Sequence, residues 1–229
     1  MKKILLIFFL MINISNLIKS ESVEVNHFLI CPSVNGESGY IYDPSGYILG
    51  NNMISMGIHS YYFKVNYGFM NIVEAGLRVN LADSSDILDI LETTSLNLKL
   101  KIIEEEKYFI NLSAGLEEIP IFFTQNKLND EPFRPYIAAS KKFYDMSLNV
   151  GYMAKRKIGL FADVSKVIND TILAIGEFDG EHYNAGVKIS LNYNFNIEIF
   201  MQNIDQMNTI KELGEFLKNY FIFGITYIQ

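Results

Sequence analysis

Polar and apolar residues alternate one by one along most of this chain. Successive side chains of a β-strand point to opposite faces, so the pattern predicts strands. Residues 72–81 show it most plainly: Ile72, Glu74, Gly76, Arg78 and Asn80 fall on one face, and Val73, Ala75, Leu77, Val79 and Leu81 on the other. Residues 95–102 set Ser95, Asn97, Lys99 and Lys101 against Leu96, Leu98, Leu100 and Ile102. The alternation recurs at 108–116, 146–152, 158–165, 183–191 and 195–202. The last segment places Phe221, Phe223, Ile225 and Tyr227 opposite Gly224 and Thr226. Segments 53–65, 134–142 and 171–179 are less regular, yet rich in Val, Ile, Phe and Tyr and bounded by turn residues.

Turns are expected at Asn66-Tyr67-Gly68, 104–107, Asp145, Asn169-Asp170, Asp179-Gly180 and Asn192-Tyr193-Asn194. Counting from residue 53 gives about eleven strands. Single-chain outer-membrane barrels have an even number. A short strand within 39–48 makes twelve, and ten is the alternative if one weak segment is misassigned. On the count of twelve, the short connections at 66–71, 104–107, 143–145, 166–170 and 192–194 share one end. The long ones at 82–94, 117–133 and 203–218 share the other, as in membrane barrels with short periplasmic turns and longer external loops. Within 205–218, Met207, Ile210, Leu213 and Leu217 recur at helical spacing, which predicts a short amphipathic helix at the rim.

Alternating strands serve two architectures. A soluble sandwich or lipocalin-like barrel points its apolar face inward, whereas a membrane barrel points it to lipid and lines its interior with the polar face. The polar face here is dominated by Asn, Ser and Gly, with few long charged side chains, which suits a crowded interior. Composition does not choose between them: 49% of the 229 residues are hydrophobic and 14% aromatic, all Phe and Tyr, values that a soluble secreted domain also shows. No later stretch approaches the apolar length of a membrane helix. The chain begins with Lys2, Lys3 and an apolar run over 4–12, and Ser20 and Ser22 stand at signal-peptidase spacing. Residues 1–22 are therefore expected to be a signal peptide, 23–37 an N-terminal lead and 38–229 the barrel. A net charge of −7 argues against a nucleic-acid partner. One cysteine, Cys31, excludes an intrachain disulfide framework and reads as an unpaired loop thiol.

Four segments carry a resemblance. Ser38-Gly39-Tyr40-Ile41-Tyr42-Asp43-Pro44-Ser45-Gly46-Tyr47-Ile48 precedes the first long strand, and Tyr67-Gly68 with Ile72-Val73-Glu74-Ala75-Gly76-Leu77 follows it. Together with Gly176-Glu177-Phe178-Asp179-Gly180 and Asn184-Ala185-Gly186-Val187-Lys188 this resembles the YjbH-like outer-membrane barrels. That family is associated with exopolysaccharide, so the resemblance implies a barrel fold, an outer-membrane location and a link to the cell envelope. Phe221, Phe223, Gly224 and Tyr227 resemble the aromatic C-terminal sorting signal read by the barrel assembly machinery.

The candidate chemistry lies in the inward charges Glu74, Arg78, Lys99, Lys101, Asp163, Glu177, Asp179, Lys188 and Glu198. Buried charges must be paired and hydrogen-bonded. Lys99 and Lys101 are expected to meet Glu74 from the next strand, and Glu177 and Asp179 to face Lys188 across a hairpin. The set reads either as an ion-pair network filling a narrow lumen or as the lining of a small pore. Ser55 and His59 share a face with Tyr61 but stand about 13 Å apart along a strand, too far to pair. No Gly-x-Ser-x-Gly, metal-spaced His/Cys cluster or phosphate loop occurs. The expected protein is thus a non-enzymatic outer-membrane β-barrel without cofactor, partnered by lipid and, during insertion, by the assembly machinery. It is either a narrow porin-like channel or a structural barrel. The alternatives are a soluble periplasmic barrel binding an apolar ligand and an outer-membrane hydrolase.

Overall fold

The computed structural model describes residues 25–81, 93–121, 133–154, 156–209 and 213–229; the expected signal peptide, parts of the three long loops and residue 155 lie outside them. Twelve antiparallel strands form one closed barrel. They are β1 (Ile54–His59), β2 (Tyr62–Phe69), β3 (Val73–Asn80) and β4 (Ser95–Ile103). Then come β5 (Asn111–Pro120), β6 (Arg134–Phe143), β7 (Met146–Met153) and β8 (Leu160–Ile168). The last four are β9 (Ile172–Phe178), β10 (Tyr183–Ser190), β11 (Phe195–Met201) and β12 (Phe221–Ile228). Each strand pairs with its sequence neighbours, and β1 closes the ring on β12 with Met56 opposite Tyr227. Closure leaves no unpaired edge, which a bilayer requires because lipid offers no hydrogen bonds.

The count of twelve holds, but the first two strands are not the expected ones. The segment 53–69 is a hairpin: β1 turns into β2 at Ser60 and Tyr61, and Tyr61 is exposed in the turn instead of facing inward with His59. No Gly, Pro, Asn or Asp marks that turn, because Ser60 itself takes the left-handed conformation with φ 50°. The expected turn at Asn66-Tyr67-Gly68 lies inside β2, and the chain reverses instead at Met70 and Asn71. Both have positive φ, and Ile72 N–H donates to the Phe69 carbonyl at 3.1 Å, the geometry of a two-residue hairpin turn. Asn169 and Asp170 repeat it between β8 and β9. Residues 39–48 are not a wall strand; they form only isolated bridges, Pro32 with Ser38 and Gly39 with Pro44.

The two ends sort as the loop lengths predict. Turns after β2, β4, β6, β8 and β10 are short and share one end with the start of β1 and the end of β12. The long connections share the other end, and the one after β11 carries a 3-10 turn (Ile204–Thr209) and a helix (Leu213–Tyr220) where helical spacing was read.

The faces follow the alternation. Leu98, Leu100, Leu148, Val150, Leu160, Val164, Phe223 and Ile225 project outward and are exposed, while Ser55, Asn66, Asn97, Ser113, Asn149 and Asn196 point inward and are buried. The interior is not empty. Residues 27–50, which begin within a short helix α1 (Val25–Leu29), thread the barrel and bury Phe28, Leu29, Tyr40, Ile41 and Leu49 completely. The expected lead and the first part of the expected barrel are therefore one internal plug. It is hung from the short-turn end at both of its ends. The His27 ring lies 5.0 Å from that of Tyr193, and Asn51 N–H donates to Asn71 Oδ1 at 2.6 Å.

Candidate functional site

A loop without regular structure carries one donor and one acceptor per residue, and burying it unsatisfied costs heavily. The wall meets this demand with side chains. Two carboxylates serve the plug's N–H groups. Glu74 accepts from Ser38 N–H and Ser38 Oγ at 2.7 Å each and from Leu49 N–H at 3.0 Å. Glu177 Oε2 accepts from Ile41 and Tyr42 N–H at 2.9 Å and Asp43 N–H at 3.2 Å.

Amides and ammonium groups serve its carbonyls. Lys99 Nζ donates to Ser38 O at 2.7 Å, Lys188 Nζ to Gly39 O at 2.9 Å, and Lys64 Nζ to Ser33 O. Asn66 donates to Gly36 O at 2.6 Å, Asn97 to Asn35 O at 3.1 Å and Asn149 to Pro44 O at 3.0 Å. Gly46 N–H donates to Ser140 Oγ at 2.7 Å, and Ser113 Oγ donates to Ser45 O at 2.9 Å.

Beside these polar groups the wall also presents an apolar patch. Leu173 and Ile175 of β9, Phe200 of β11 and Ile222 of β12 join Phe28, Leu29, Val34, Tyr40 and Ile41 in one cluster. In β9 the alternation therefore carries apolar residues on both faces, with one set reserved for the plug. That double apolarity is the sequence signal that a segment docks there.

The inward charges occupy their expected face, but several have different partners. Glu74 and Lys99 stand opposite one another on β3 and β4, and they are joined through Ser38 of the plug. Lys188 is opposite Leu173; its charge partner is Glu198 at 3.6 Å across β10 and β11, so the expected Glu177–Lys188 pairing does not form. Asp179 lies beyond β9, where it caps the turn by accepting Glu181 and His182 N–H at 2.9 Å. Lys101 sits at the short-turn mouth, paired with Glu104 at 2.9 Å. A bulge between β4 and β5 turns both Glu117 and Glu118 toward the interior, which simple alternation does not foresee. Glu118 takes Arg78 at 2.8 Å and Arg134 at 2.6 Å.

His59 is buried with both ring nitrogens engaged, Nε2 with Glu198 and Nδ1 with Lys64 Nζ at 2.9 Å. Its ring stacks on Phe200 and lies against Gly224, where a Cβ would meet Cδ2 at 2.4 Å. Gly224, read as part of a sorting signal, is thus also the space His59 needs. Cys31 is a free thiol buried in the plug, and Asn196 Nδ2 donates to its sulfur at 3.2 Å.

Outside, aromatic residues collect at the ends of the apolar band. Tyr108, Phe109, Phe143, Tyr144 and Tyr193 ring the short-turn end, and Tyr144 is 98% exposed. Tyr61, Phe133, Tyr152 and Tyr183 mark the other. An apolar band flanked by aromatic girdles around a polar interior is the surface of a β-barrel that sits in a bilayer. The expectation of a soluble barrel with an apolar lumen is overturned by the same facts: the lumen wall carries Lys64, Lys99, Lys188, Glu74 and Glu198, and the leucines face out.

The fold and its interior define a transmembrane β-barrel with an internal plug. Among solved structures the chain is similar to the KdgM porin, with a TM-score of 0.46 and 11% identity over 76% of this chain and 96% of that one. It is also similar to the NanC porin, at 0.40 and 11% over 77% and 97%. A mutant of the Rh. blastica porin matches at 0.35 and 13% over 73% of this chain and 55% of the porin. No protein-family model and no curated protein matches the chain.

Proposed function

We propose that this protein is a non-enzymatic, porin-like barrel of a Gram-negative-type outer membrane whose passage is controlled by its own N-terminal segment. One observation carries the reading: residues 27–50 occupy the lumen and are held by ionic and amide side chains of the wall, where a polar-lined barrel of this size would otherwise hold water. Twelve strands stand between small barrels filled by side chains and wide open porins, so an inserted loop suffices to block the path. The seat combines an apolar patch with many polar contacts that water can replace, and the polar part suits a segment that comes and goes. A cavity of 410 Å³ at the short-turn mouth, lined by Tyr47, Ile48, Lys101, Glu105 and Lys142, leads to the plug.

The short-turn end faces the periplasm in this reading, residues 1–22 direct export, and the aromatic face of β12 is what the assembly machinery recognises. A planar-bilayer recording tests it. Purified wild-type barrels are expected to rest closed with brief openings. Gly46→Ala, whose Cβ would stand 2.4 Å from Asn111 O of β5 and 2.8 Å from Ser140 N of β6, is expected to prolong them. Silence in both proteins across preparations sinks the channel. A filled interior also suits a second reading, a structural barrel whose link to the envelope rests on the sequence resemblance, and silence is its expected result.

A further inference from the structure

Where the plug reaches furthest toward the long loops, three carboxylates converge. Asp43 comes from the plug, Asp163 from β8 and Glu177 from β9, the last two directly opposite in the sheet. One oxygen of each lies within 4.8 Å of the others, and all three residues are buried. Their surroundings are uneven. Glu177 is saturated by three plug N–H groups and by Asn184 Nδ2 at 3.0 Å. Asp43 Oδ1 meets Arg156, and Asp163 Oδ2 accepts from Asn149 Nδ2 at 2.6 Å. Asp43 Oδ2 and Asp163 Oδ1 have no hydrogen-bond partner although both are sealed from solvent.

Ionised, three buried carboxylates against one guanidinium carry two negative charges in excess, and two orphaned oxygens in a low-dielectric site are costly unless a proton or a cation neutralises them. From this geometry we infer that the free oxygens of Asp43 and Asp163, with the Glu177 carboxylate beside them, hold a divalent cation that fastens the plug to the wall. The donors are carboxylate oxygens without imidazole or thiolate, the set suited to hard cations, and calcium accepts carboxylates without keeping a full water shell. Its two charges equal the excess. Because one ligand, Asp43, is on the plug and the other, Asp163, is on the wall, losing the cation frees the plug's far end. The inference rests on the seated plug and is independent of whether the barrel conducts, so its test reads binding.

The full chain, refolded in detergent and stripped with chelator, is titrated with calcium chloride by calorimetry and by thermal unfolding. One calcium per barrel is expected, with a higher unfolding temperature and slower alkylation of Cys31. Asp163→Asn should weaken binding at least about tenfold, since site affinity follows ligand charge. It should also make unfolding insensitive to calcium. Glu106→Gln, at an exposed turn, should bind as wild type does. If Asp163→Asn does not refold, tyrosine-sensitised terbium luminescence on wild type, displaced by calcium, reads the same site. Absence of saturable calcium binding, or equal binding in Asp163→Asn and Asp43→Asn, overturns the inference; stability that responds to pH but not to calcium assigns the site to a shared proton and overturns it too.

Discussion

Glu74→Ala tests the hold on the plug most directly. The carboxylate accepts three hydrogen bonds from the plug, two at Ser38 and one at Leu49 N–H, and is 1% exposed. Hydrogen bonds to charged groups contribute about 1.5–3 kcal/mol each. The Ser38 hydroxyl keeps Lys99 as a neighbour, so the two backbone N–H groups set the minimum, roughly 3 kcal/mol. Lys99, directly opposite and fully buried, also loses its nearest opposing charge, and stranding a buried charge costs about 3–5 kcal/mol. Water entering the vacated space reduces the sum, so the lower figure is the better expectation. At about 1.4 kcal/mol per decade, 3 kcal/mol raises the unseated population roughly a hundredfold. The chain's single cysteine reports it, because Cys31 is buried in the plug and reacts with a maleimide only when the plug leaves. Labelling of Glu74→Ala in detergent should be about a hundredfold faster than wild type, in proportion to that population, while heat-modifiable gel migration stays intact. Labelling no faster than wild type in a barrel that still shows that migration refutes the account of the seat.

Other outcomes follow from the same structure. Val150→Arg on the outward face of β7 should destabilise the barrel by about 2–4 kcal/mol in lipid vesicles, and Lys142→Ala at the mouth by much less; equal losses in a denaturant titration contradict the lipid-facing assignment. Two carboxyls outside the spanning strands govern an acid limb. Glu104 is held below its ordinary 4.5 by hydrogen bonds from Lys101 and Lys107, and Asp205 below its ordinary 3.8 by that from His182. A carboxyl lowered on folding stabilises fully above its unfolded value and loses that contribution as pH falls through the folded one. Stability should therefore decline below pH 4.5 through Glu104 and below 3.8 through Asp205, and Glu104→Gln with Asp205→Asn should shorten the decline in pH-dependent unfolding. Gly68→Ala places a Cβ 2.1 Å from Gly50 O, where β2 touches the plug's exit, and should raise Cys31 labelling without opening the barrel.

The alternation of Glu74, Gly76 and Arg78 with Ala75, Leu77 and Val79 determined by itself that β3 exists, which face meets lipid and which residues point inward. Period two is a property of the extended backbone and needs no tertiary partner. Loop lengths likewise determined which ends of the strands lie together, since up-and-down connection makes the ends alternate. The turn at Ser60 was hard to read because Ser60 is a weak turn signal within an otherwise continuous strand-like run, with no Gly, Pro, Asn or Asp beside it. Gly68 and Asn66 read as a turn because they are turn residues; they stand in β2 since the plug needs a bare backbone at one and a donor at the other. The alternation also could not say what the polar face is for. Glu74 and Glu177 look like a lumen lining, and only the folded chain places the N–H groups of Ser38, Ile41 and Tyr42 against them, more than thirty residues away in sequence. A segment without regular structure has no period to read, and its place is decided by the sum of side-chain hydrogen bonds that a closed wall presents to it.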